Sequence, residues 1–210
     1  MSAQRVLRIA GALPDAVVAL GCLVVWIAPH AIGVHWVKQV VVAMLVEFLA
    51  VHSGAFFSGV LEHSSGGWRR MVVPYLLLAS LYVLFAGAFA LAFGTWWPLQ
   101  AMVVLIGMKF WTLILDRDTS SREAARQQGI WVASCAAYLI GAFLTAVLPV
   151  PEFGIDAAAR AAADLPGTGA WVEQPQRVVA FAMAYFALLA WMKLTHDPMA
   201  PTTGQGARSS

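Results

Sequence analysis

Charged residues are scarce in this chain. Only 11% of its 210 residues are Asp, Glu, Lys or Arg, whereas 60% are hydrophobic. A soluble domain usually has about 25% charged residues and somewhat under half apolar ones. The chain therefore has too little polar surface to coat a water-soluble globule. Its net charge of +2 is also too small to indicate a nucleic-acid partner.

The chain also has only two cysteines and none of the common catalytic motifs. The two cysteines, Cys22 and Cys135, lie in apolar stretches without the spacing of a disulfide framework or a zinc ribbon. We interpret both as structural. No phosphate-binding glycine loop, HExxH motif or nucleophile elbow is found, so no catalytic residue is assigned. No internal repeat of the transporter type can be aligned.

Long apolar runs are what the sequence does contain. Residues 71–94 include no charge over 24 positions, and residues 130–149 include none over 20. Both exceed the roughly 18 uncharged apolar residues expected of a membrane span. We predict an all-α, polytopic membrane bundle of about six transmembrane helices. These cover residues 15–28, 37–61, 71–93, 98–115, 130–148 and 178–194.

The predicted bundle is a single domain, residues 1–197, with one long loop and a tail. The loop, residues 150–176, is acidic and contains an alanine-rich segment at 156–165. We expect this segment to form a short helix that either lies on the membrane surface or caps the bundle. Residues 198–210 are rich in Pro, Thr, Gly and Ser, so we expect a disordered tail.

Basic residues predict the orientation, because Lys and Arg of short loops collect on the cytoplasmic side. Six spans and a cytoplasmic N-terminus place nine basic residues inside: Arg5, Arg8, Arg69, Arg70, Arg117, Arg122, Arg126, Lys193 and Arg208. Only Lys38, Arg160 and Arg177 then lie outside. Nearly all tryptophans also fall at one of the two membrane boundaries, as Trp prefers. We predict that both termini are cytoplasmic, in a bacterial-type inner (plasma) membrane.

Three ionisable side chains fall at membrane depth: Glu47, His52 and Lys109. Each costs at least ~2.5 kcal/mol near the bilayer centre, so each needs a partner or a function. Glu47 and Lys109 are predicted at nearly equal depth on two spans. We expect them to pair, either as a structural ion pair or as part of a substrate or ion path. The remaining alternative is that Lys109 extends toward the cytoplasm, near Asp116.

His52 lies about 140° around the helix from Glu47, so we expect it to face a different neighbour. A hydrogen bond to a hydroxyl or carbonyl would satisfy it. A metal site stays open if the helix breaks and brings Glu62 and His63 toward His52, with Asp116 as a further ligand. The other histidines lie near or beyond span ends, so we do not expect haem, and no cofactor is identified.

Small residues at helical spacing predict where helices approach closely in lipid. They are Ala50, Gly54, Ala55, Gly59, Ala90 and Gly94. Such faces would also suit a homo-oligomer or a membrane partner protein. Apart from the lipid bilayer, no partner is identified.

The sequence leaves three functions open. The first is a channel or transporter for a small solute or ion, with or without proton coupling, whose polar core is Glu47, Lys109 and His52. The second is a membrane-embedded enzyme or metal-binding protein that uses His52, Glu62, His63 and Asp116. The third is a non-catalytic membrane subunit or scaffold. A cavity that reaches Glu47 would favour the first.

Overall fold

Helices make up nearly all of the backbone in the computed structural model, which describes residues 3–62, 68–115 and 121–195. Six long helices are α1 (Ala3–Ile27), α3 (His35–Glu62), α4 (Trp68–Phe93), α5 (Trp97–Leu115), α6 (Ser121–Val147) and α9 (Pro175–Thr195). Three short ones are α2 (Pro29–Ile32), α7 (Ala157–Ala163) and α8 (Ala170–Glu173). No strand occurs in these three segments. The all-α prediction is confirmed.

Four of these helices are long and apolar enough to cross a membrane. The stretches are Arg8–Ile27, His35–Gly54, Val72–Phe93 and Pro175–Thr195, while α6 has a shorter apolar stretch, Trp131–Val147. A helix of 20 residues is about 30 Å long, which matches the hydrocarbon thickness of a bilayer. On α4, Leu77, Leu84 and Leu91 are each at least 67% exposed and recur every seven residues along one face. Such a face suits lipid, and the chain is a helical membrane protein.

Each predicted span coincides with a long helix, but two helices begin nine or more residues earlier than predicted. We expected the first span to begin at residue 15, whereas α1 begins at Ala3 and runs through Pro14. Proline is tolerated inside membrane helices because neighbouring groups satisfy the freed carbonyl. Helix α6 begins at Ser121, nine residues before the predicted start, because its first turns lie outside the apolar run. The predicted disordered tail, 198–210, lies outside the described residues.

Two side-chain contacts fix the direction of α5 relative to α3. Trp97 donates a hydrogen bond to the Gln39 side chain (2.8 Å) near the start of both helices. Lys109 donates to Ser53 (3.1 Å) further along both. The two contacts advance together along the chain, so α3 and α5 run parallel.

Helix α6 runs in the opposite direction to α3. Tyr138 donates a hydrogen bond to the carbonyl of Met44 (2.7 Å), and Trp131, earlier on α6, donates to that of Val51 (2.5 Å), later on α3. Two direct bonds to backbone carbonyls therefore hold this helix pair in register. Buried tyrosine and tryptophan usually find such a partner for the polar end of the ring.

The loop helix α7 closes one end of the bundle. Ile155, Ala159 and Ala163 are buried in the same apolar cluster as Val37 and Tyr138. Asp156 caps the helix by accepting a hydrogen bond from the Ala159 N–H (2.8 Å). Helix α7 thus packs against one end of the bundle.

The chain before α7 is attached to the end of α1. Trp26 donates from its indole nitrogen to the Pro151 carbonyl (2.9 Å) and accepts at its own carbonyl from the Gly154 N–H (3.1 Å). Its ring also packs edge-on against Phe153 (4.9 Å between centroids). The long loop is thus anchored at both α1 and α3.

Candidate functional site

Glu47 lies in the interior of the bundle, where α3 meets α9. The Tyr185 hydroxyl donates a hydrogen bond to Glu47 Oε1 (2.9 Å). Tyr185 itself is 3% exposed, and Glu47 is partly buried. A carboxylate oxygen at membrane depth is therefore held by a hydroxyl from a different helix.

A second tyrosine packs beside the first. The Tyr138 ring meets the Tyr185 ring edge-on, with centroids 5.5 Å apart and an interplanar angle of 80°. Its hydroxyl donates to the backbone carbonyl of Met44, not to a carboxylate. The two tyrosines therefore differ in role: Tyr185 binds the acidic side chain, and Tyr138 joins α6 to α3.

An ion pair between α1 and α9 lies close to Glu47. Lys193 Nζ is 2.6 Å from Asp15 Oδ2, and the side chains are 49% and 14% exposed, respectively. Both residues act electrostatically on Glu47. We define Glu47, Tyr185, Tyr138, Asp15 and Lys193 as the Glu47 cluster, which extends from the half-exposed ammonium to the interior carboxylate.

The Glu47 cluster contains two carboxylates but only one ammonium. When all three groups are ionised, the cluster carries one excess negative charge. Such a charge is costly at membrane depth and is relieved by a proton or a cation. The arrangement can therefore bind one positive charge reversibly.

Lys109 does not join this cluster. Its ammonium donates to Ser53 Oγ and lies 5.3 Å from the centre of the Phe57 ring. Within the described segments, no ion pair connects Glu47 with Lys109. The expected pair is not formed because Ser53 follows Glu47 by six residues, which turns it about 120° away around α3. Glu47 faces α9, whereas Lys109 approaches from α5.

His52 is satisfied by its own helix. One of its ring nitrogens, Nδ1, is 2.8 Å from the Phe48 carbonyl, and the two rings pack with centroids 4.0 Å apart. Among the described residues, no three His, Cys, Asp or Glu side chains converge on a point that could hold a metal ion. Glu62 ends α3, its side chain is not described, and His63 and Asp116 lie outside the described residues.

The predicted packing residues have different roles. Trp131 of α6 lies against Gly54, where an added Cβ would be 3.0 Å from the indole. Ala90 is 1% exposed within α4. Gly94, in contrast, has a φ of +65° at the end of α4 and open space around it, so it terminates the helix. Ala50 is partly buried, and the surroundings of Ala55 and Gly59 are not described.

Two cavities lie on the side of the bundle near α7. The first, which we call the loop pocket, has a volume of about 400 Å³ and is lined by residues of the long loop and of the start of α9. The second, the apolar groove, has a volume of about 730 Å³ between α1, α3 and α9. Met44 and Phe186 line the groove. Met44 lies within one helical turn of Glu47 on α3, and Phe186 is the residue after Tyr185 on α9. Glu47 itself does not line the groove.

Sequence reasoning missed most partners of Glu47. Tyr185 lies in an apolar run, and a buried tyrosine hydroxyl needs a hydrogen-bond partner; that signal could have identified it. The predicted spans 15–28 and 178–194 place Asp15 and Lys193 at the cytoplasmic boundary, one near each end of the chain. Only the packing of α1 against α9 shows that the two meet beside Glu47.

Similarity to known proteins gives no further guide to the function of this site. No protein-family model matches the chain, and no curated protein or solved structure is similar to it.

Proposed function

We propose that this protein is a channel or transporter of the inner membrane for a small cation or a proton-coupled solute, in which Glu47 binds the proton or cation. The observation that carries this proposal is the excess of one carboxylate over the ammonium groups of the Glu47 cluster. A purely structural site would be expected to balance its charges, because an unpaired charge in the membrane is costly.

In this proposal the proton enters and leaves on the side of Lys193, which is half exposed. Lys193 pairs with Asp15, and the charges of both groups act on Glu47. A proton that reaches the Glu47 carboxylate removes the excess negative charge, and its departure restores it. Tyr185 donates to the ionised carboxylate and keeps it facing α9. The proton that binds Glu47 comes from water or from the transported solute, and it returns to one of them when it leaves.

The proposal includes six spans with both termini in the cytoplasm. The alternating helix directions support this count: α5 runs parallel to α3, and α6 runs antiparallel to it. The excess of Lys and Arg in the loops on the N-terminal side supports the orientation. The Glu47 cluster then lies toward the cytoplasmic half of the membrane, and α7 covers the outer end.

Flux through reconstituted liposomes tests the proposal. Liposomes that contain a pH-sensitive dye are given a pH step, or a panel of monovalent cations and small solutes, and internal pH is followed. Wild type should exceed empty liposomes for at least one condition, and Glu47→Gln should abolish the difference. Asp164→Asn is the matched control, because it makes the same acid-to-amide change at an exposed loop residue and should leave flux unchanged. Wild-type flux equal to that of empty liposomes throughout would refute transport.

The apolar groove favours a second candidate, a membrane subunit that binds another hydrophobic helix. Its wall consists mostly of aliphatic and aromatic side chains from α1, α3 and α9, including Val18, Val40 and Phe186. Substitution of Gly21, which lines the groove and has open space around it, by Trp should block such a partner while the monomer still folds. Loss of a co-purifying membrane protein in the variant, together with absent flux in wild type, would favour this function over transport.

A further inference from the structure

The loop pocket combines a buried acceptor with charges of both signs. Gln176 lines it and is 2% exposed. Its Oε1 is buried and accepts no hydrogen bond from any described part of the chain. A buried amide oxygen without a donor is destabilising, and a ligand N–H or O–H that reached this oxygen would supply the missing hydrogen bond.

Two of the charged side chains in the pocket neutralise each other. Arg160 and Glu152 form an ion pair with a 2.6 Å contact between Nη1 and Oε1. Both line the pocket. They contribute shape and polarity to the wall but no net charge for a ligand.

The other two charged side chains, Arg177 and Glu173, have only neutral partners. Arg177 donates from Nε to the Gln174 side chain (2.7 Å) and from Nη1 to the Ala146 carbonyl. Glu173 accepts a hydrogen bond from the Gly169 N–H (3.2 Å). In the described segments neither residue is part of an ion pair. One guanidinium and one carboxylate in the same pocket are thus available to charges of the opposite sign.

We propose that the loop pocket binds a small zwitterionic group, with its anionic oxygens at Arg177 and its ammonium at Glu173 and Gln176 Oε1. The start of α9 adds to the attraction for the anionic end, because the first N–H groups of a helix carry partial positive charge. Arg177 is at the third position of that helix. The ammonium supplies the N–H that Gln176 Oε1 lacks.

The size of the pocket agrees with a small ligand. Sites for small molecules typically measure about 300–1,000 Å³, and the loop pocket measures about 400 Å³. Two sources present this chemistry at a membrane surface: a free α-amino acid and the headgroup of a phosphatidylethanolamine lipid. Both place an anionic group and an ammonium a few bonds apart. The site does not depend on transport, since a zwitterion can bind there whether or not anything crosses the bundle.

Calorimetric titration of the detergent-solubilised protein tests the proposal. Glycine and serine serve as free zwitterions, and glycerophosphoethanolamine serves as the soluble headgroup. Acetate and methylammonium, at matched ionic strength, represent the two halves of the ligand. At least one zwitterion should bind saturably, and each half should bind at least tenfold more weakly. Binding of the amino acids alone assigns a free solute, and binding of the headgroup alone assigns a lipid.

Substitutions then connect the binding to the proposed residues. Arg177→Gln and Glu173→Gln should each weaken binding at least tenfold, whereas Lys38→Gln and Asp164→Asn, the matched charge removals outside the pocket, should not. Gln176→Met should weaken binding while thermal stability without ligand stays equal or rises, an outcome that a purely structural role would not produce. Size-exclusion profiles identify misfolded variants, and Glu173→Gln, at an exposed position, remains informative if Arg177→Gln misfolds.

Three results would overturn the proposal. They are no saturable binding of any zwitterion, acetate binding as tightly as glycine, and zwitterion binding unchanged in Glu173→Gln. Because no flux is measured, a negative result here leaves the transport proposal standing, and absent flux leaves this site standing.

Discussion

Tyr185 of α9 donates its hydroxyl hydrogen to the Glu47 carboxylate of α3. This bond joins two helices whose contributing residues are 138 positions apart in the chain. It also determines the direction in which the only acidic side chain of α3's membrane-spanning stretch points. The function that we propose for Glu47 therefore depends on α9 as much as on α3.

Removing this hydroxyl should destabilise the protein only while Glu47 is present. Interhelical hydrogen bonds in membranes couple by about 0.6 kcal/mol on average and up to about 1.7 kcal/mol. Unfolding free energies of Tyr185→Phe, Glu47→Met and the double variant, measured by denaturant titration in micelles, should show coupling in that range, because methionine removes the acceptor oxygen. Tyr138→Phe is the matched control, because its hydroxyl binds a backbone carbonyl; the free-energy loss of Tyr138→Phe should add to that of Glu47→Met.

The same measurement distinguishes Lys109 from the Glu47 cluster. Because Lys109 binds Ser53 and not Glu47, the effects of Glu47→Gln and Lys109→Met should add within about 0.5 kcal/mol. Rescue of Glu47→Gln by Lys109→Met would show instead that the two charges meet in the folded protein.

Hydrophobic runs were sufficient to predict the long helices, because a membrane requires apolar segments of fixed length whatever they pack against. The partner of Glu47 was predicted wrongly for a different reason. Depth along a span follows from residue number, but the neighbour at that depth depends on how helices pack. Equal depth along two spans predicted a Glu47–Lys109 pair, but Lys109 binds Ser53, six residues further along α3. The partner of Glu47 comes from α9 and not from α5. A tyrosine in the apolar run of α9 indicates that its hydroxyl needs a partner, but it does not indicate which helix supplies that partner.

Gly141 marks a close approach between α6 and α9 that an added methyl group should disrupt. A Cβ there would lie 2.5 Å from the Phe181 ring, and Phe181 is 2% exposed and packs edge-on against Tyr138. Overpacking of this kind costs typically about 1–3 kcal/mol. Gly141→Ala should therefore lower the melting temperature. Gly129→Ala, on the same helix with open space around it, should leave it unchanged or raise it. Equal effects would contradict the close α6–α9 contact.

The cap of α7 should respond to acid. The Ala159 N–H bonded to Asp156 holds the pKa of that carboxyl below its usual value of about 3.9, with a smaller contribution from His30. A lowered pKa means that the cap stabilises α7 at all pH values above the usual one, and that this contribution is lost as pH falls through the native pKa.

Hydrogen exchange over Ala157–Ala163, corrected for intrinsic rates, measures this cap. Protection should be constant from pH 8 to about pH 5 and should decrease below about pH 4. Asp156→Asn keeps a capping oxygen without a titrating group. The protection of Ala157–Ala163 in this variant should therefore vary less as pH falls. A decrease of the same size in Asp156→Asn would assign the acid sensitivity to another group.

The number of spans can be decided at one position, Ser121. Helices α1, α3, α4 and α9 meet the length and hydropathy expected of a span, and the proposal adds α5 and α6. If all six cross, Ser121 at the start of α6 lies in the cytoplasm; if only the four cross, it lies outside with α7.

Single cysteines at Ser121, Ala161 and Thr195, in a Cys22→Ala and Cys135→Ala background, should be labelled in intact cells by a membrane-impermeant maleimide only at Ala161. Labelling of Ser121 and Thr195 should require permeabilised cells. Labelling of Ser121 together with Ala161 in intact cells would reduce the bundle to four spans, and labelling of Thr195 would reverse the side assigned to the C-terminus.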